Sequence, residues 1–183
     1  MKKVVLAYSG GLDTTYCAIY LNKVAGLEVH AVTVQTGGFS EEELKNIEAR
    51  AYGLGVASFR VVDVTSDYYK KCIRYLVFGN VLKNAVYPLS VSAERMVQAI
   101  AVAQAAKEMG ADYVAHGSTG AGNDQVRFDM VFQSMIPEVG IITPIRDMKL
   151  SRDAEISFLK EHGVEMNFEK AHTASIKACG AHR

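Results

Sequence analysis

The sequence predicts an α/β protein: a doubly wound, mostly parallel sheet of five strands with helices on both faces. Two observations indicate this class. Short apolar runs alternate with amphipathic stretches of helix length, and glycine-rich turns follow the first and fourth of those runs. In such sheets ligands bind beyond the carboxyl ends of the strands, so these two turns are the first candidates for a functional site.

Local signals define each element in turn. Strands are predicted at residues 4–8, 28–34, 57–64, 112–116 and 139–143. Helices are predicted at residues 13–25, 41–52, 65–76, 92–109 and 151–162, with another starting near residue 123. Ser40 and Glu43 form a capping box, and Gly110 and Gly163 each end a helix. Pro88 breaks the pattern, so residues 79–90 are predicted to be irregular.

Composition excludes several classes of function. The 183 residues can bury one core, and 20 basic residues balance 20 acidic ones without a basic run, which argues against a nucleic-acid partner. No apolar run is long enough for a bilayer, and the apolar stretch after Lys3 is too short for a signal peptide. Cys17, Cys72 and Cys179 lack metal-type spacing, so we expect reduced thiols and a cytoplasmic location.

The first glycine-rich turn, residues 9–15, has the features of an anion site. Gly10 and Gly11 let the backbone approach a ligand closely, and the following helix adds its positive end. Hydroxyl donors come from Ser9, Thr14 and Thr15. Asp13 is unsuited to bare phosphate but suits a Mg²⁺ ion carried by pyrophosphate. The segment lacks both the Walker A and the dinucleotide patterns, and the alternative is a tight turn with Asp13 as helix N-cap.

The second turn, residues 116–128, combines glycines at positions 117, 120 and 122 with three polar side chains. Arg127 offers a planar fork to a carboxylate, Asp124 can accept from an ammonium group, and Asn123 can do both. This set suits an amino-acid ligand, and the alternative is a solvated surface turn. We expect His116 to be a structural histidine at a strand end rather than a catalytic base.

Three motifs resemble a known family. The segment S-G-G-L-D-T at residues 9–14 resembles the pyrophosphate loop (PP-loop) of the ATP pyrophosphatases, and the longer match over residues 7–14 resembles argininosuccinate synthase. Thr15 stands where that family usually has serine. H-G-S-T-G-A-G-N-D-Q-V-R-F at residues 116–128 and Y-P-L-S-V-S-A-E-R at residues 87–95 also resemble that family. The likeness extends from residue 3 to about residue 170 in the same order.

The resemblance implies an adenine nucleotide alpha hydrolase-like fold and a set of binding residues. It implies that ATP contacts Ala7, Tyr8, Ser9, Gly10, Gly11, Leu12, Asp13, Thr14, Thr15, Val34 and Gly117. It implies that aspartate contacts Arg95, Thr119, Asn123 and Asp124, and that citrulline contacts Tyr87, Ser92, Asn123 and Arg127. For Ser92 a helix N-cap is the ordinary alternative. Mg²⁺ is expected near Asp13 through the pyrophosphate, and no covalent enzyme nucleophile is expected.

The implied activity is the ATP-dependent joining of L-citrulline and L-aspartate, with release of AMP and pyrophosphate, in arginine biosynthesis. Two rival interpretations stay open. One is another PP-loop ATP pyrophosphatase, such as a tRNA-thiolating enzyme, although zero net charge does not favour a tRNA partner. The other is a non-catalytic nucleotide-binding module.

The end of the chain departs from the family. Family enzymes are more than twice as long and homotetrameric, so residues 1–170 are expected to form the nucleotide-binding domain, without the synthetase domain and the carboxyl-terminal assembly region. Residues 171–183 match nothing in the family, and we expect an out-of-frame tail there, the alternative being a short paralogue with its own ending. Such a chain should bind ATP weakly and synthesise argininosuccinate barely or not at all.

Overall fold

A computed structural model describes residues 1–83 and 86–164. The main sheet consists of β1 (Lys3–Ala7), β2 (Glu28–Gln35), β3 (Ser58–Asp63), β6 (Tyr113–Ala115) and β7 (Gly140–Ile142). Its strands are all parallel, in the order β3-β2-β1-β6-β7, so the predicted doubly wound α/β class is confirmed.

The helices pack on both faces of this sheet. They are α1 (Leu12–Ile19), α2 (Glu41–Gly53), α3 (Thr65–Tyr68), α4 (Arg74–Phe78), α5 (Ser90–Met109), α6 (Asp124–Met135), α7 (Pro144–Asp147) and α8 (Arg152–Glu161). A π-helical turn, Tyr20–Val24, extends α1, and a second, Tyr69–Ile73, joins α3 to α4.

Alternating side chains of β1 divide the core into two layers. Val4 and Leu6 are fully buried in the layer that contains α1, α2 and α8. Val5 is fully buried in the opposite layer, which contains α5 and α6. Successive residues of a strand point to opposite faces, so one short apolar run holds both layers together.

The order in which the chain adds strands to the sheet reverses at β1. The chain moves outward from β1 through β2 to β3, and then returns to the other side of β1 with β6 and β7. The loops that follow β1 and β6 therefore emerge side by side at the same edge, at the point where parallel α/β sheets bind ligands.

The structure corrects three local predictions and confirms a fourth. Helix α5 begins at Ser90 with Leu89 before it, so Ser92 lies within the first turn and is not the N-cap. Helix α1 begins at Leu12, with Gly11 as an N-cap that makes no side-chain bond, so Asp13 is not a cap either. The stretch predicted to be irregular contains the antiparallel pair β4 (Leu82–Lys83) and β5 (Tyr87–Pro88). The capping box of Ser40 and Glu43 is present as predicted.

The predictions for residues 171–183, for Cys179 and for a domain boundary at residue 170 lie outside the described residues. None of the helices in residues 1–83 and 86–164 combines the length and the apolar character that a bilayer crossing requires.

Phe132 tests how much the layer beneath α6 contributes to stability. It is fully buried and packs at a tilt against Phe128, with 5.7 Å between ring centroids. Phe132→Ala should lower the free energy of unfolding by about 3–5 kcal/mol, because it removes a buried ring and leaves a cavity. Phe78→Ala is the matched control, since Phe78 is 83% exposed and its loss should cost less than about 0.5 kcal/mol. Urea denaturation measures both, and equal losses would contradict this account of the core.

Candidate functional site

A cleft of about 430 Å³ lies at the carboxyl edge of the sheet, between the loops after β1 and β6. The first loop and the start of α1 contribute Ala7, Tyr8, Ser9, Gly11, Leu12, Asp13 and Thr14. The second loop and the start of α6 contribute His116, Gly117, Ser118, Thr119, Gly122 and Asp124. Both turns that the sequence singled out therefore form one concave site.

The two loops meet at Gly117. A Cβ atom built there would lie 3.2 Å from the carbonyl carbon of Asp13, 3.2 Å from its Cβ and 3.3 Å from Cγ2 of Thr14. These distances are shorter than ordinary van der Waals contact, and all three atoms belong to the start of a helix. Gly117 thus permits an approach between the loops that a larger residue would oppose.

Hydrogen bonds inside the first loop are long and exchangeable. The Thr14 hydroxyl donates to the carbonyl of Gly11 at 3.3 Å, and the amide of Gly11 donates to Oγ of Ser9 at 3.4 Å. The Ser9 amide reaches the Thr14 hydroxyl at 3.4 Å. Good bonds of these types are several tenths of an ångström shorter, so an anion with oxygen acceptors can replace them at small cost.

His116 has a structural environment, as expected. Its ring is buried, Nε2 donates to Asp129 at 3.0 Å, and Nδ1 accepts from the amide of Ser118 at 3.2 Å. Burial lowers the pKa of His116 against the opposing effect of Asp129, so the ring stays neutral. Asp129 also pairs with Arg146 of α7. This network fixes the start of the second loop and leaves no ring nitrogen for proton transfer.

A cluster of opposite charges lies at the other end of the cleft: Arg95 and Asp124 line it, whereas Arg127 and Ser92 lie beside it and pair within the cluster. The carboxylate of Asp124 accepts from Arg127 at 2.6 Å and from Arg95 at 3.3 Å. A second nitrogen of Arg127 donates to the hydroxyl of Ser92 at 2.9 Å. The sequence predicted these residues as ligand contacts, and the structure brings them together, but each is already paired with another member of the cluster.

Some predicted contacts do not reach the cleft. The Thr15 side chain is fully buried in the core, so the hydroxyl donation expected of it is not supported. Gly10 is also buried, with its carbonyl directed towards α2. Asn123 is exposed at the start of α6 and lies beside the cleft rather than in its wall. Val34 and Thr119 do line it, and the Tyr87 side chain lies outside what the structure describes.

Comparison with known proteins identifies the family. The model of the arginosuccinate synthase N-terminal HUP domain matches residues 3–165. This chain belongs to the argininosuccinate synthase family.

Individual relatives agree with that assignment. The argininosuccinate synthase of Pyrobaculum aerophilum is 40% identical over 167 residues, which are 91% of this chain and 42% of that protein. That of Saccharolobus solfataricus is 41% identical over the same share of each chain. That of Dictyoglomus thermophilum is 39% identical over 96% of this chain and 44% of its own. The chain thus spans less than half the length of these relatives.

A solved structure shares the fold alone. The crystal structure of a predicted subunit of tRNA methyltransferase from Methanocaldococcus jannaschii superposes with a TM-score of 0.62. The match covers 88% of this chain and 75% of that chain at 17% sequence identity.

Several cleft residues of this argininosuccinate synthase family member were not predicted from the sequence. Phe39, Gln98, Val102 and Arg152 line the wall. The turn that carries Phe39 is held by Gln35, whose side-chain oxygen accepts from the Phe39 amide at 3.2 Å. Arg152 follows the Ser151 N-cap, which places it at the start of α8. The sequence predicted only the helix over residues 151–162, because the direction of Arg152 towards the cleft depends on how α8 packs.

A buried carboxyl group, that of Glu155, lies beneath the first loop. Glu155 of α8 is 3% exposed, and its Oε2 has no hydrogen-bond partner among the described residues. Burial, together with the nearby carboxylate of Asp13, raises the pKa of Glu155 to about 8. Glu155 therefore holds a proton at neutral pH, while Asp13 faces the cleft. Asp13, Ser9 and Thr14 all line the cleft, and their side-chain oxygens are hard donors of the kind that Mg²⁺ accepts.

The raised pKa of Glu155 predicts a pH-dependent stability. An unfolded glutamate titrates near 4.5, so between about pH 4.5 and pH 8 the folded chain binds one more proton than the unfolded chain. The contribution of Glu155 to stability should therefore fall as pH rises through that window, by at most about 1.4 kcal/mol per pH unit, and level off above it.

Glu155→Gln should remove the Glu155 contribution to this slope, because glutamine keeps the shape of the side chain but does not titrate. Thermal melts of wild type and variant from pH 5 to pH 9 test it, with the exposed Glu138→Gln as matched control. If Glu155→Gln keeps the wild-type slope, Glu155 is not the titrating group.

Proposed function

We propose that the cleft binds ATP for the argininosuccinate synthase reaction, which joins L-citrulline to L-aspartate. One observation supports the proposal: Gly117 lies close to Asp13 and Thr14, so the loop proposed to bind the phosphates and the loop proposed to bind the amino acids line a single cleft. Family membership supports the same reaction.

The triphosphate fits the first loop. Amides and hydroxyls of Ser9, Gly11 and Thr14 face one another across long hydrogen bonds, so they are available to phosphate oxygens. The amino end of α1 adds a favourable potential for an anion.

The adenine fits the apolar part of the cleft, next to the end of β2. Val34, near the end of β2, lines the cleft, and the apolar side chains of Phe39 and Val102 line it as well. In this pose the α-phosphate lies near Gly117, between the two loops. Aromatic and aliphatic walls with a few polar groups are typical of nucleotide pockets.

The amino acids fit the charged end. Aspartate would use Arg95, Thr119, Asn123 and Asp124, and citrulline would use Tyr87, Ser92, Asn123 and Arg127. A zwitterion can substitute for either partner of the Asp124 pairs, since its carboxylate suits the arginines and its ammonium suits Asp124. Without substrate, the ion pairs that Asp124 forms with Arg95 and Arg127 compensate the charges of these three side chains.

The proposed reaction has two displacements. The ureido oxygen of citrulline attacks the α-phosphorus of ATP and expels pyrophosphate, which gives citrullyl adenylate. The amine of aspartate then attacks the activated carbon, expels AMP and loses a proton. The chain's residues align three substrates and donate hydrogen bonds to the leaving pyrophosphate. Mg²⁺ held by Asp13 would supply charge neutralisation of the pyrophosphate.

Residues 1–183 by themselves should perform only part of this reaction. The matched segment corresponds to 42–44% of the length of the argininosuccinate synthases that resemble it. The chain should bind ATP, whereas citrulline-dependent turnover should be weak or absent. A homotetrameric assembly and a cytoplasmic location are proposals taken from the family.

Gly117→Ala tests the contact between the loops. The added methyl group should push the second loop away from α1 and weaken ATP binding by about tenfold or more, because small displacements at such sites are costly. Gly120→Ala is the matched control, since a Cβ there would lie 3.7 Å from Arg146, an ordinary contact. Isothermal titration calorimetry with Mg-ATP measures both, and equal affinities would refute this role for Gly117.

Pyrophosphate release tests the reaction itself. Release that requires citrulline, and AMP release that also requires aspartate, are the expected pattern, at a rate far below that of a full-length relative. Release without citrulline would favour another ATP pyrophosphatase. ATP binding with no release under any condition would favour a nucleotide-binding module, and absence of ATP binding would contradict the proposal as a whole.

A further inference from the structure

The two glycines Gly10 and Gly11 do not themselves fix the orientation of the peptide plane between them. Glycine adopts positive and negative φ with similar ease, so a Gly-Gly peptide can rotate at low cost unless something outside it fixes its orientation. Gly10 has φ +72°, and Gly11 precedes α1 with an extended backbone. The orientation matters because one edge of this peptide faces the cleft.

Arg50 of α2 contacts this peptide from the side away from the cleft. Its Nη1 donates to the carbonyl oxygen of Gly10 at 2.6 Å, across 40 residues of sequence. Ile47, one turn earlier on α2, lies 3.2 Å from the position that a Gly10 Cβ would occupy. Helix α2 therefore holds the outer face of the first loop through a charge-assisted hydrogen bond and an apolar contact.

Because the peptide is planar and trans, the contact of Arg50 with the Gly10 carbonyl also sets the direction of the Gly11 N–H. The C=O of one residue and the N–H of the following residue point in opposite directions. With the Gly10 carbonyl held towards Arg50, the Gly11 N–H points towards Oγ of Ser9 at 3.4 Å, and both of these residues line the cleft. In the rotated peptide a carbonyl oxygen would face the phosphates and repel them.

We propose that Arg50 is a positioning residue, which holds the Gly10–Gly11 peptide so that the Gly11 amide faces the pyrophosphate part of the ligand. The inference rests on the proposed function for the identity of that ligand. Arg50 itself does not line the cleft and acts through the backbone.

Arg50→Ala tests this role on the whole chain. ATP and inorganic pyrophosphate, each with Mg²⁺, should bind about tenfold more weakly, because a hydrogen bond from a charged group is lost. AMP should keep its affinity, since it lacks the pyrophosphate, and a merely structural defect would weaken all three. Arg50→Lys should recover most of the loss. Arg60→Ala is the matched control, because Arg60 pairs with Glu108 at 2.7 Å on an exposed surface away from the cleft.

The Gly11 amide signal in a ¹H–¹⁵N spectrum decides the proposal even without ligand. It should shift in Arg50→Ala and remain in place in Arg60→Ala. Unchanged binding of ATP and pyrophosphate in Arg50→Ala, an equal loss for AMP, or an unmoved Gly11 signal would each overturn the proposal. If the wild type binds neither ATP nor pyrophosphate, the proposed function fails, and the Gly11 signal still tests whether Arg50 orients the peptide.

Discussion

The close contact between Gly117 and the first turn of α1 is the constraint on which the rest of the site depends. Strands β1 and β6 are parallel neighbours, and neighbouring strands lie about 4.8 Å apart, so the loops that leave them compete for the same space. Side chains on both would force the loops apart. With glycine at position 117, the first turn shares one cleft with Arg95 and Asp124 of the charged cluster, instead of forming a separate surface.

Much of this architecture follows from local sequence signals. Short apolar runs predicted the strands because a parallel strand buried on both faces needs no polar alternation, and residues 4–6 show this directly. The capping box at Ser40 was also predicted from the sequence, because both of its partners lie within one turn. The two-residue strands β4 and β5 were missed, because two residues carry no periodicity. The start of α5 was predicted two residues too late, because serine is a common N-cap residue. In the structure the Ser92 hydroxyl accepts a hydrogen bond from Arg127 instead.

The site was predictable only where its residues are contiguous. The two loops carry recognisable motifs, and the structure brings them together. Arg50, Phe39, Arg152 and Glu155 come from other elements, and their relation to the cleft exists only after the helices pack. Thr15 shows the opposite error: its residue type and position suit a phosphate contact, but the rotation of α1 turns it into the core. Which face of a helix meets a ligand depends on tertiary packing as well as on sequence.

The small buried side chains of helix α5 affect the shape of the cleft. Its buried face consists largely of alanines, which are Ala99, Ala101, Ala103, Ala105 and Ala106. Such small side chains let the helix backbone rest close to the sheet, and the same helix carries Arg95 and Gln98 at its amino-terminal half. The methyl groups thus act as a spacer that fixes how far the arginine stands from the first loop. The size of the cleft therefore depends partly on side-chain volumes in the hydrophobic interior, at positions that do not line the cleft.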